Sequence, residues 1–244
     1  MRSILWVITL GAACQGDPDK VTLEGTVWTS QDDTSPLADA KVKILDGEGA
    51  HFAKASTGGR GAFSVDAPWG AEVFALVSAD GHTPTSFSGV TGIEDVLVLE
   101  EGEFHGMPVD TWEAWTQKFE GCEGVGTGGA LIGEARFMEI RDTQSGEYPL
   151  VETLTVQVEG SDGVIYRGCY LDEAGLGYDA AQTSTGPSGI FGVFGLPEGG
   201  AWIDLEYLFV EVDGERYTYE VSYPGWVPAN GVLPRFPFWL QVLL

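Results

Sequence analysis

Apolar and polar residues alternate in short runs along most of this chain. Ala40-Lys41-Val42-Lys43-Ile44-Leu45 sets apolar side chains on one side and two lysines on the other, as a strand with one buried face requires. Val21 to Thr29, His51 to Ala55, Ala62 to Val65, Thr83 to Ser88 and Val96 to Leu99 read as further strands. Glu72-Val73-Phe74-Ala75-Leu76-Val77 is the most hydrophobic run and predicts a central strand. Asp46-Gly47, Pro68-Trp69-Gly70 and Asp80-Gly81 supply turns between them. Residues 21–101 therefore read as a β-sandwich.

The alternation breaks after Glu100-Glu101-Gly102-Glu103. From Pro108 to Phe119 the apolar residues Trp112, Trp115 and Phe119 share one helical face. Asp110 with Glu113 three places on fits an N-cap, and Gly121 ends the segment. This predicts one amphipathic helix within a connector, residues 102–129. Its two tryptophans are core against a sandwich or a binding surface.

Strand patterning resumes at Ala130 to Ile140. It continues through Pro149 to Val158, Val164 to Leu171, Ile190 to Phe194, Trp202 to Val212 and Tyr217 to Tyr223. The Pro-rich stretch Pro224 to Pro237 predicts a loop before a terminal strand, Phe238 to Leu244. One turn occurs twice. Ser56-Thr57-Gly58-Gly59-Arg60-Gly61-Ala62-Phe63 returns as Ser184-Thr185-Gly186-Pro187-Ser188-Gly189-Ile190-Phe191. A repeated supersecondary unit predicts a second, divergent sandwich over residues 130–244. In it, Ile132 to Arg136 stands where Leu23 to Val27 stood. The expected fold is all-β, two tandem sandwiches with one short connecting helix.

Charge narrows the partners. Lys plus Arg number 12 against 37 Asp plus Glu, a formal net charge of -25. Phosphate backbones and anionic membrane surfaces call for a basic face, so nucleic acid is not expected as a partner. No Asp-x-Asp-x-Asp-Gly calcium loop occurs, and no metal or cofactor is expected.

Met1-Arg2-Ser3, the apolar run Ile4 to Leu10 and small residues up to Ala13 have the layout of an export signal, too short to span a bilayer. Leu10-Gly11-Ala12-Ala13-Cys14 resembles the lipobox of bacterial lipoproteins, with Gly11 where an aliphatic residue is usual. The resemblance implies a signal peptide over 1–13, lipidation of Cys14 and a tether to residue 20. Gln15 in place of Asp implies the outer membrane; a secreted or periplasmic protein is the alternative. With Cys14 lipidated, Cys122 and Cys169 remain in an oxidising compartment. They are expected to form a disulfide, the alternative being two unrelated buried thiols.

The order Leu23-Glu24-Gly25-Thr26-Val27, Pro36-Leu37-Ala38-Asp39-Ala40-Lys41-Val42, Ser56-Thr57 with Gly61 and Phe63, then Ala79-Asp80-Gly81-His82, resembles the carboxypeptidase regulatory-like domain. That family has a transthyretin-like (prealbumin-like) sandwich and a non-catalytic role. His82 stands where the family usually has Tyr. The resemblance implies a module and not an enzyme.

The candidate chemistry is sparse. His51, His82 and His105 form no His-Glu-x-x-His or His-x-x-Glu pattern, and no nucleophile elbow or phosphate loop occurs. Trp69, Trp226 and Trp239 sit in or beside predicted loops, Trp226 in the Pro-rich one. They either stack on sugar rings or plug the sandwich ends. The expected role is a non-catalytic binding, adhesion or structural module of the cell envelope, acting on an envelope protein or a polysaccharide. The alternatives are a carbohydrate-binding module using loop aromatics, and an accessory domain of a peptidase complex or a hydrolase with a dispersed site.

Overall fold

The computed structural model describes residues 20–91, 96–98, 104–137, 153–210 and 216–240. The export segment with Cys14, the tether and the run from Pro149 to Glu152 lie outside the described residues. The fold is all-β with one helix among the described residues.

The first half holds β1 (Lys20–Trp28), β2 (Lys41–Asp46), β3 (His51–Ser56), β4 (Ala62–Pro68), β5 (Glu72–Ser78), β6 (His82–Thr83), β7 (Thr85–Val90) and β8 (Val96–Val98). β4-β1-β8 make one layer, and β3-β2-β5-β7 the other. On β2, Val42, Ile44 and Leu45 are buried while Lys41 and Lys43 face water. Phe63, Val65 and Ala67 of β4 share a core with Val42 and Ile44 and with Val21, Leu23 and Val27 of β1. Each large aliphatic side chain so buried contributes roughly 1.5–3 kcal/mol.

The connector adds β9 (Phe104–His105), β10 (Met107–Pro108) and α1 (Val109–Lys118). The helix begins two residues earlier than the Asp110 cap predicts. Pro108 is the N-cap without a side-chain cap, and Asp110 lies in the first turn, its Oδ1 accepting from the Thr111 N–H at 2.7 Å. Pro108 pre-sets the backbone there, and a carboxylate in the first turn still meets the positive end of the helix. Gly121, at φ 95°, follows the helix end. Phe119 is fully buried, and Trp112 and Trp115 pack with it against the second half.

The second half holds β11 (Gly129–Phe137), β12 (Thr155–Glu159), β13 (Ile165–Arg167), β14 (Cys169–Tyr170), β15 (Ile190–Leu196), β16 (Gly199–Val210), β17 (Arg216–Val227) and β18 (Val232–Leu240). Its pairings repeat those of the first half. β15-β11-β18 matches β4-β1-β8, and β13-β12-β16-β17 matches β3-β2-β5-β7. Gly25 pairs with Phe63, and Gly133 with Phe191. The equivalent of Leu23-Glu24-Gly25-Thr26-Val27 is thus Leu131-Ile132-Gly133-Glu134-Ala135, one residue off the expected alignment. Both faces of β11 are buried: Leu131 and Ala135 in the sandwich core, Ala130 and Ile132 under the helix. An unbroken apolar run hides which parity faces the core, and a slip of one exchanges the faces.

The repeated turn does the same work twice. The Thr57 N–H donates to the Ala40 carbonyl (2.8 Å), and its Oγ1 accepts from the Ala40 N–H (2.9 Å) and donates to the Leu37 carbonyl (2.6 Å). Thr185 exchanges the same two backbone bonds with Leu154, both at 2.9 Å. Gly61 and Gly189 then turn the chain at φ 71° and 63°, a region that favours glycine.

The predicted loop Pro224 to Pro237 is instead mostly strand. β17 runs to Val227, and β18 starts at Val232. β17 is the edge of its sheet, where Pro224 forfeits no obligatory ladder bond. Pro234 sits opposite Ile132, just before the register shift between β11 and β18.

The two halves meet strand to strand. β18 pairs with β7 in parallel at Val232 and Thr85, joining two layers into the sheet β14-β15-β11-β18-β7-β5-β2-β3. The Val232 N–H donates to the Pro84 carbonyl at 2.8 Å, and Ser86 Oγ donates to the Trp226 carbonyl.

Candidate functional site

The sequence-selected aromatics do not converge. Trp69 lies between β4 and β5, 47% exposed. Trp226 lies in β17 opposite Gly200, and not in a loop. Its ring reaches across the joint onto Phe74 (centroids 5.9 Å apart) and fills the space above Gly49, where a Cβ would overlap it. Its indole nitrogen is buried without a hydrogen-bond partner. The ring is therefore a wedge between the sandwiches. Trp239 is in β18, in register with Arg136.

Cys122 and Cys169 form a disulfide with a Cα–Cα distance of 6.2 Å, tying the turn after α1 to β14. His51 is on β3, while the His82 ring lies against Gly106, the neighbour of His105. His51 is exposed, and His82 Nδ1 contacts the Asp80 carbonyl at 3.0 Å. His105 is buried edge-on against Phe87, 5.4 Å between centroids. Among the described residues, no group of three or more His, Cys, Asp or Glu side chains is placed to hold a metal ion.

A cleft that sequence reasoning missed opens where the two sandwiches and the connector meet. Its volume is about 510 Å³. Ser30 to Asp32 come from the loop after β1, and His105 to Met107 from the connector strands. Thr111 and Trp115 come from one face of α1, and Glu134 and Arg136 from β11. Arg136 Nε meets Glu134 Oε1 at 2.5 Å, with side chains 26% and 24% exposed. Lys118 Nζ stands 4.7 Å from the centroid of the Trp115 ring. The period-two spacing of Glu134 and Arg136 was the one signal available, since it places both on the same face of a strand. A second, shallower site is lined by Asp172, Glu173, Asp179, Gln182 and the Ser184–Pro187 turn.

The outer face of the second half carries Trp202, 52% exposed, in register with Glu159 and Pro224, with exposed Ile165 beyond Glu159.

No known family matches the chain, and none of the curated proteins does. Among solved structures, the chain aligns with the Bacillus anthracis TIE protein at 14% identity and a TM-score of 0.29, over 89% of this chain and 33% of that one. The shaft pilin SpaA from Lactobacillus rhamnosus GG aligns at 11% identity and 0.26, over 93% and 99%. BcpA, the major pilin subunit of Bacillus cereus, aligns at 8% and 0.28, over 91% and 99%. TM-scores this low carry no argument about role.

Proposed function

We propose that this chain is a non-catalytic module of the bacterial cell envelope, a lipoprotein anchored through Cys14. Two divergent copies of a carboxypeptidase regulatory-like sandwich, residues 21–101 and 130–244, form one stiff body that supports or binds a surface partner. The observation that carries the reading is the strand-to-strand joint. The pairing of Val232 with Thr85 and the Trp226 ring between the halves support a spacer, since a flexible linker would make no such contacts. The motif residues support it too, since Thr57 and Thr185 are occupied in tying their own strands.

The test is chemical cross-linking on intact source cells, followed by mass spectrometry of what is attached to the chain. The expected result is a reproducible envelope component, with Cys14→Ser releasing the chain from the membrane fraction. Unchanged membrane attachment of Cys14→Ser, with no envelope component recovered, would sink the reading.

A further inference from the structure

The cleft between the halves is lined by a charged pair that the first repeat lacks. Glu134 and Arg136 occupy the places that Thr26 and Trp28 hold in the first repeat, where an uncharged pair serves the same strand. A three-quarters-buried ion pair is a poor source of stability, because both charges lose water. Its presence at the junction of separate elements suits a ligand site.

The lining says what kind. Glu134 neutralises Arg136, so the walls offer donors and acceptors in place of an uncompensated cation. Asp32 and the net charge of -25 repel acidic ligands. Trp115 adds an aromatic wall, and Ser30, Gln31 and Thr111 add neutral hydrogen-bonding groups. A volume near 510 Å³ suits a small, hydroxyl-dense molecule. We propose that this cleft binds an uncharged saccharide, with Trp115 forming one apolar wall and Glu134 and Arg136 orienting its hydroxyls. The proposal rests on the chain being a binding module, and not on the lipid anchor or the location.

The experiment is titration calorimetry of the full chain, in a detergent without a sugar headgroup. The probes are cellotetraose, maltotetraose and chitotetraose, with an oligogalacturonate as the acidic comparator. At least one neutral probe binds and the oligogalacturonate does not. Trp115→Ala and Thr111→Lys, which projects a long side chain into the cleft, each weaken binding about tenfold or more. Trp202→Ala leaves it unchanged. Thermal unfolding checks each variant, and Thr111→Lys decides the matter if Trp115→Ala does not fold. The proposal is overturned if no neutral probe binds at millimolar concentration, or if both cleft variants bind like the parent. Tighter binding of the acidic probe also overturns it, as does loss of binding in Trp202→Ala alone, which would move the site to the outer sheet face. Failure here leaves the Cys14 fractionation untouched, and the reverse holds too.

Discussion

Two threonine hydroxyls show how a short polar turn can hold a sandwich together. Replacing Thr57 with Val keeps the shape but strands the Ala40 N–H and the Leu37 carbonyl. A buried polar group left without a partner costs about 1–3 kcal/mol, and Thr57→Val should lose that much in urea unfolding while Thr57→Ser keeps most of it. Thr185→Val should behave alike in the second half. Tyr170 offers a pH test. Burial raises its phenol above the ordinary tyrosine range, and the Val156 N–H donating to Oη at 2.9 Å opposes this only in part. The folded chain therefore holds this proton more tightly than the unfolded one. The stability so contributed is complete below the unfolded value, about pH 10, and is lost as pH rises through the folded value. Urea midpoints between about pH 8 and 11 should fall more steeply for the parent than for Tyr170→Phe.

The disulfide acts between elements. It closes a separation of 47 residues and pins the turn after α1 to β14, beside the contact of Phe119 with Phe194 at 5.0 Å. Loop entropy gives about 4 kcal/mol for such a closure. Cys122→Ser with Cys169→Ser should lower unfolding stability by up to that amount, and non-reducing mass analysis of the parent should find neither thiol free. Most elements were legible because one face of each strand is wet, as Lys41 and Lys43 show on β2. Legibility failed where that contrast vanished. β11 is covered on both faces, so its apolar run gave the strand but not its parity. Pro224 and Pro234 read as loop because a sequence does not announce which strand is an edge or where a register shifts. The cleft was invisible for a related reason: its residues come from segments as far apart as Ser30 and Arg136, and only the fold brings them together.

For the whole molecule, the joint should decide how the chain unfolds. The β7–β18 pairing, the Ser86 bond and the Trp226 wedge couple the two cores. The parent should melt in a single calorimetric transition, with calorimetric and van't Hoff enthalpies in agreement. Trp226→Ala with Ser86→Ala should separate it into two. Gly49→Ala should weaken the joint by displacing the Trp226 ring, and it should do less harm once Trp226 is already Ala, as a double-mutant cycle would read.

The same pairing has a consequence for handling the chain in crowded surroundings. An unpaired strand border recruits other polypeptides by offering them a row of amides and carbonyls. Here the first sandwich's β7 and the second's β18 meet each other at Val232 and Thr85, so part of each border is covered by the neighbouring half. Cutting the molecule between its halves would uncover both borders at once. The fragments would then tend to clump or exchange strands more readily than the intact pair.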